Sequence, residues 1–329
     1  MDQGDPGTER APRPRRLDVP GAAAGMRLDR FLARRFADRS RSWLARGVRA
    51  GLVTDADGRA LRPSSLLRGG EVLLVYLPGI APSSEPPPMP PILHEDERLA
   101  VLDKPAGLLA HPAGTDFTWA VVGLARAQWP DHRVDLVHRL DRDTSGVLVV
   151  GKDLAATAFL KEAFKRGRAI KHYEAFCKGL IGWDRAVLDG PIGSADGVIR
   201  IQMAVDPTGL PARTDVEVLA RQEEPIPLTR VRCRLHTGRT HQIRVHLAHA
   251  GHPILGDRMY GVAPEVFLRA WEQGVDRWVV AQAGAPRQAL HAVGVRLPHP
   301  NGEELEVTAP LPPDMVRWWS RPAVLPHDE

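Results

Sequence analysis

The segment with the greatest chemical potential is His138 to Gly146, HRLDRDTSG, placed directly before the apolar run Val147 to Val150. A loop that feeds a strand is held at one end and open at the other, which suits a reactive side chain. Asp141 lies between Arg139 and Arg142, and neighbouring cations keep a carboxylate ionised, the form that attacks as a nucleophile or takes up a proton. Thr144, Ser145 and Gly146 add hydroxyls and a permissive backbone for a tight turn. The same residues equally fit a salt-bridged turn with no chemistry. A second segment, Gly238 to Asp257, is rich in histidine and carries Arg244 beside Ile243 and Leu247. Thr240 there is a candidate helix cap and Gly251 a candidate stop, with Pro253 beyond. Arg244 would then leave the packed stripe at the edge of a pocket, where a charge pair with a carboxylate gains from partial desolvation. His236, His241, His246, His249 and His252 read as polar structure rather than metal ligands, because no HExxH pattern accompanies them.

These groups need a scaffold. The 329 residues fit about two domains of the usual size, roughly 100 to 200 residues each. No apolar stretch approaches the roughly 20 residues of a membrane helix, and no signal-peptide core is readable, so a cytoplasmic protein without a membrane role is expected. Cys177 and Cys233 stand apart without a CxxC, which argues against a disulfide framework or a structural zinc. Residues 1–25, rich in Pro, Gly, Arg and Ala, have the composition of a disordered basic arm. Leu28, Phe31, Leu32 and Phe36 recur at helical spacing, a second helix follows Ser40, and Leu52 to Thr54 and Val72 to Leu77 look like strands. A small α/β module over residues 26–77 is expected.

Between Met26 and Gly51 this module carries Arg27, Arg30, Arg34, Arg35, Arg39, Arg41, Arg46 and Arg49 against Asp29 and Asp38, although the whole chain has a net charge of only +4. Such a field attracts a polyanion, although a solvated helix face explains it as well. Seven of the fourteen positions from Pro78 to Pro91 are proline, a semi-rigid spacer. Beyond it, strand-like runs at Leu99 to Leu102, Val147 to Val150, His172 to Phe176 and Arg230 to Leu235 alternate with helical patterns at Thr118 to Gln128 and Leu154 to Arg166. Pro300-Asn301-Gly302, between Ala289 to Leu297 and Glu303 to Val307, predicts a tight antiparallel hairpin. The expectation for residues 92–320 is an α+β domain, mixed and largely antiparallel, with a tail at 321–329.

HRLD-x-x-TSG resembles the signature of the RluA-type pseudouridine synthase family. His94 to Pro112, HEDERLAVLDKPAGLLAHP, resembles that family's opening strand and lysine-proline-glycine loop, and KHYEA from Lys171 to Ala175 its tyrosine motif. GRTHQIRVHLAHAGHPILGD from Gly238 to Asp257 is similar to its arginine motif over the whole length. Met203 with Ala212 and Thr214, and Leu290-His291-Ala292, fit weaker late blocks, so the resemblance spans roughly residues 90 to 310 in order. It implies that Asp141 is the nucleophile, that Tyr173 stacks on the extruded uracil, that Arg244 pairs with Asp141, and that Arg139 helps open the helix around the target. No cofactor and no metal are implied, since the isomerisation changes neither mass nor redox state. The base must leave its stack, and a dry pocket must hold it, for which the Ile243 to Leu247 stripe is the candidate lining.

Residues 26–77 are similar to the αL-type (ribosomal-protein-like) RNA-binding module, through RLDRFLARR, SRSWLARGVRAGLV and RGGEVLLVY. Glu71 stands where an aspartate commonly follows the glycine, and Asp55 to Gly58 replaces the usual asparagine-glycine turn; both keep turn chemistry. Arg27, Arg30 and Arg41 become candidate RNA contacts. The implied partner is RNA, ribosomal in preference to transfer RNA, acted on by a monomer. The rival readings are a non-catalytic RNA-binding or ribosome-assembly protein, a hydrolase using Asp141, and a protein kinase. The kinase lacks a glycine-rich loop, a DFG and the metal-binding asparagine after Asp141.

Overall fold

The computed structural model describes residues 15–36, 39, 41–49, 51–76, 87–111 and 120–321. They divide into two compact units, one ending at Pro87 and the other beginning at Pro88.

The first unit comprises β1 (Arg15–Asp18), α1 (Leu28–Arg35), α2 (Arg41–Arg49), β2 (Val53–Asp55) and β3 (Val72–Val75), with a 3-10 turn at Gly21–Ala23. The strands form an antiparallel sheet in the order β1-β3-β2. Leu28, Phe31, Leu32 and Phe36 bury one face of α1 against Leu44 and Val48 of α2 and against Leu17, Val53, Leu73 and Val75 of the sheet, as helical spacing requires. The expectation of a disordered arm through residue 25 fails from Arg15 onward, because β1 pairs along β3 from Arg15↔Val75 to Asp18↔Val72. Only Leu17 in RRLD is apolar, so the strand has no alternation to announce it. It exists because β3 has a free edge and Leu17 fills the core. Residues 1–14, most of the spacer after Leu77, and the tail from 322 lie outside the described residues.

In the second unit the elements follow as β4 (Ile92–Glu95), β5 (Leu99–Lys104), α3 (Val121–Gln128), β6 (Asp135–Leu136), β7 (Ser145–Gly151), α4 (Leu154–Lys165), β8 (Ile170–Lys178) and β9 (Arg185–Leu188). Then come β10 (Ile192–Ser194), β11 (Met203–Val205), β12 (Thr214–Gln222), β13 (Leu228–Leu235), α5 (Gln242–His249), α6 (Pro264–Gln273), α7 (Arg277–Ala283), β14 (Leu290–Pro298), β15 (Glu304–Thr308) and α8 (Pro313–Ser320). The main sheet runs β4-β5-β7-β14-β8-β13-β12-β9, with β6 on β7 and β15 on β14. Among the strands of the described residues only β14 and β7 pair in parallel, so the fold is mixed α+β and largely antiparallel, as the sequence led us to expect. β7 is buried at every residue, which explains why it reads as a continuous apolar run instead of an alternation.

The parallel contact depends on Gly146. Its φ is 107°, and a Cβ there would lie 2.2 Å from the carbonyl oxygen of Ala292. The glycine of the TSG triplet is therefore what lets β7 come against β14. The expected tight hairpin is looser in fact: Pro298 pairs with Glu304, and Gly302, not Asn301, has the positive φ. Asn301 instead bonds Glu303 through both its amide nitrogen and its carbonyl oxygen, closing a longer turn. Among the described residues no helix is long and apolar enough to cross a membrane.

Candidate active site

Asp141 sits in the loop between β6 and β7, where the backbone N–H of Thr144 donates to its carbonyl at 3.1 Å and turns the chain. The loop is anchored from below. Lys104, at the end of β5 and fully buried, donates from Nζ to the carbonyls of Arg142 (2.9 Å), Pro105 (2.9 Å) and Leu108 (2.8 Å). The N–H of Gly107 adds a bond to the Arg142 carbonyl at 2.9 Å. One ammonium thus ties the lysine-proline-glycine loop to the Asp141 loop. Burial lowers the pKa of Lys104 to about 7, against the attraction of Asp143 and, less strongly, Asp141. Asp143 itself pairs with Arg258 and Arg142.

Arg244 reaches the same place from α5. Its Nη1 donates to Oδ2 of Asp141 at 2.9 Å, while Nε and Nη2 fork onto Oδ2 and Oδ1 of Asp257 at 2.7 and 3.0 Å. Asp257 has no exposed surface, and its Oδ1 also accepts the backbone N–H groups of Met259 (2.9 Å) and Tyr260 (3.2 Å). The ring of Tyr260 lies 5.0 Å from the guanidinium carbon. The arginine is therefore gripped on one side by a buried carboxylate and presents its remaining donor to a partly open one, since the Asp141 side chain keeps 31% exposure. Burial would raise the pKa of Asp141, but Arg244, and after it His241, outweigh that and hold it below the ordinary carboxylate value. Burial likewise opposes the charge on Arg244, yet Asp257 and Asp141 push its pKa further up.

Tyr173 lies in β8, paired with Cys233 on one side and Ala292 on the other, and is 5% exposed. Burial and then the charge of Asp141 push its phenol up, so the ring is neutral and within the electrostatic reach of the carboxylate. The fold thus brings Asp141, Tyr173 and Arg244 together from three separate elements.

The other expected residues fare differently. Arg139 is exposed on the Asp141 loop and its side chain makes no ion pair among the described residues. Ile243 and Leu247, expected to line the pocket, are 4% and 0% exposed and belong to the main core. The reason is that α5 is buried nearly all round: Val245 packs into a second cluster with Ile192, Met259 and Tyr260, and His246 bonds Thr214 and the Gly190 carbonyl. An apolar stripe on such a helix marks core, not a pocket wall. Nor does Thr240 cap it; the cap position is His241, at φ 56° with no side-chain cap bond. Gly251 does end the helix, its N–H bonding Ala248 and that of His252 bonding Leu247.

In the first unit, Arg27 and Arg41 both bind Asp29, at 3.0 and 2.9 Å. Hydrogen bonds from Arg27 above all bring the Asp29 pKa to about 2. Arg30 is exposed and makes no ion pair among the described residues. Sequence reasoning gave Lys104, Asp257 and Tyr260 no role in the site and read His241 only as polar structure. Lys104 had one signal, a lysine closing an apolar strand just before a proline; the others announce themselves only through their partners.

Residues 98–249 match the protein family described as RNA pseudouridylate synthase. The chain is 38% identical over 321 residues to a ribosomal large subunit pseudouridine synthase D of Xanthomonas campestris pv. campestris, covering 93% of this chain and 92% of that one. It is 37% identical to a protein of the same description from Yersinia pestis, over 89% of each chain. Among solved structures it is similar to human RNA pseudouridylate synthase domain containing 1, with a TM-score of 0.54 and 28% identity over 69% of this chain and 86% of that one. Human RNA pseudouridylate synthase domain containing 4 gives a TM-score of 0.54 and 26% identity, over 70% and 92%.

Proposed function

The chain belongs to the RluA-type family of RNA pseudouridine synthases and is an isomerase of uridine in RNA, and from that premise we propose that Asp141 is its nucleophile and large-subunit ribosomal RNA its substrate. The observation that carries the assignment is the ion pair of Asp141 with a guanidinium that a second, buried carboxylate holds in place. An acid kept ionised well below neutral pH, with a third of its surface open, suits attack on a nucleoside.

The reaction breaks the bond between N1 of uracil and C1′ of the ribose, turns the base, joins C5 to C1′, and releases the hydrogen of C5 as a proton while N1 takes one up. No atoms or electrons are gained or lost, so the chemistry calls for no oxidant, reductant or group donor. The uridine must leave its stack to reach Asp141, at a cost of a few kcal/mol that contacts to phosphate and stacking on a ring offset. Tyr173, neutral and beside the carboxylate, is the ring we assign to the extruded uracil, and exposed Arg139 the group that fills or holds open the strand it left. Arg30, with Arg27 and Arg41 braced by Asp29, forms the phosphate contacts of the first unit. The enzyme acts as a monomer in the cytoplasm, on ribosomal RNA because the relatives named above carry that substrate in their descriptions.

The test of the nucleophile is Asp141→Asn, read by release of tritium from C5-labelled uridine in RNA and by RNA affinity. Release falls to background while affinity stays near wild type; release close to wild type removes Asp141 from the role. For the substrate, pseudouridines are mapped in cellular RNA with and without the gene. Loss confined to transfer RNA overturns the ribosomal assignment, and absence of any loss, with no turnover in vitro, favours a non-catalytic binder.

A further inference from the structure

His241 is the one non-glycine residue with positive φ among the described residues, at 56°, and it sits immediately before α5. A side chain held in that region marks a position where the rest of the structure dictates the backbone. The effect is to turn the imidazole into the site, with 13% of the side chain exposed and Nε2 4.0 Å from Oδ2 of Asp141. Its other nitrogen, Nδ1, lies 2.8 Å from the hydroxyl of Tyr260.

That hydroxyl already accepts the backbone N–H of Met203 at 3.0 Å. Its single hydrogen has one acceptor among the described residues, Nδ1 of His241. If Nδ1 carried the proton instead, the phenolic hydrogen would be unpaired and Nε2 would turn a lone pair toward the carboxylate. Both consequences are unfavourable, so the two ends of the ring specify the same tautomer: Nδ1 accepts and Nε2 carries hydrogen. Burial first, with Arg244 adding to it and Asp141 opposing, lowers the imidazole pKa to about 4, so the ring is neutral at neutral pH. At 4.0 Å the N–H is not a hydrogen bond to Asp141 but a dipole lying near one of its oxygens.

Arg244 donates to that same oxygen, Oδ2. Oδ1 of Asp141 accepts no hydrogen bond from the described residues. We propose that His241 is a positioning residue: with its tautomer set by the Tyr260 hydroxyl, it and Arg244 fix Oδ2 of Asp141 and leave Oδ1 as the oxygen that meets the substrate. This rests on the reading of Asp141 as nucleophile. Asp257, whose turn carries Tyr260, then serves both arms, holding the guanidinium directly and the imidazole through the residue three positions on.

The direct test is the histidine nitrogen spectrum of 15N-labelled whole protein at pH 7, with His241 assigned by comparison with His241→Asn, a residue that tolerates positive φ. The expected result is a neutral ring with hydrogen on Nε2, lost to a mixture of tautomers in Tyr260→Phe. In turnover, each variant loses about tenfold in kcat with KM for RNA unchanged, the size expected for one oriented polar interaction. The double variant loses no more than His241→Asn alone, because Tyr260 acts through His241. A wild-type ring protonated on Nδ1 or doubly protonated at pH 7 overturns the proposal, as do losses that multiply or that fall on KM. Should a variant fail to fold, the tautomer of the wild-type ring decides, with assignment by its contacts to Tyr260. Turnover by Asp141→Asn would remove the nucleophile and leave this tautomer as it is, so the two failures are separable.

Discussion

Asp141 and Asp257 bind the same guanidinium, yet the same chemical change at each should have different consequences. Asp257 is fully buried and accepts four N–H groups, two from Arg244 and two from the backbone. In Asp257→Asn one oxygen becomes a donor facing donors and the buried pair loses its charge, a change that costs about 3–5 kcal/mol. For a unit of this size that is a fall in Tm of roughly 6–20 °C. Asp141 keeps 31% exposure, and its loss leaves Arg244 still paired to Asp257, so Asp141→Asn costs about 1 kcal/mol or less and shifts Tm by about 4 °C at most. Calorimetry and urea unfolding of the two variants side by side measure the difference. Activity should vanish in the stable variant and be retained in part by whatever fraction of Asp257→Asn remains folded. Equal Tm shifts, or a larger one for Asp141→Asn, would refute the claim that Asp257 is the anchor and Asp141 the working end.

Gly146→Ala should lose about 2–6 kcal/mol, because the new Cβ meets the Ala292 carbonyl at 2.2 Å in a backbone region that disfavours side chains; the yield of folded protein and its urea midpoint check this. Lys104 has a folded pKa near 7 against about 10.4 unfolded, so the unfolded chain binds more protons between those values and stability should rise with pH across that window. The slope of unfolding free energy against pH should exceed that of Lys104→Met by up to about 1.4 kcal/mol per pH unit; identical slopes would mean that the buried amine is not the cause. Arg30→Ala should weaken RNA binding and reduce its salt slope by about 1 while leaving single-turnover release of the C5 hydrogen at saturating RNA unchanged; a normal slope would free Arg30 from phosphate contact.

Much of the site was legible in local pattern. HRLDRDTSG before an apolar run placed Asp141 on a loop entering a buried strand, and the α+β class followed from the antiparallel pairing that Asn301-Gly302 implied. What escaped was of another kind. Ile243 and Leu247 have the spacing of an amphipathic face, but a helix packed on both sides makes that spacing uninformative about where a ligand would lie. β1 has one apolar residue and is a strand because β3 offers it an edge. The Asn301-Gly302 signal was right about antiparallel pairing and wrong about the turn, since side-chain bonds between Asn301 and Glu303 stabilise a longer connection.

Residue order alone marked the elements with a clear period, such as α1, α4, β7 and β8, because helix and strand periods, proline and glycine act over a few neighbours. It also determined which side chains could react. Only the folded chain decided that Arg244 meets Asp141 across 103 positions, that Asp257 holds the arginine, and that His241 is turned inward by a left-handed backbone. Those contacts depend on β7, β14, β8 and β13 lying side by side in an order unlike their order in the chain, and on a buried α5. A pairing of that range is a property of the sheet and carries no local signature.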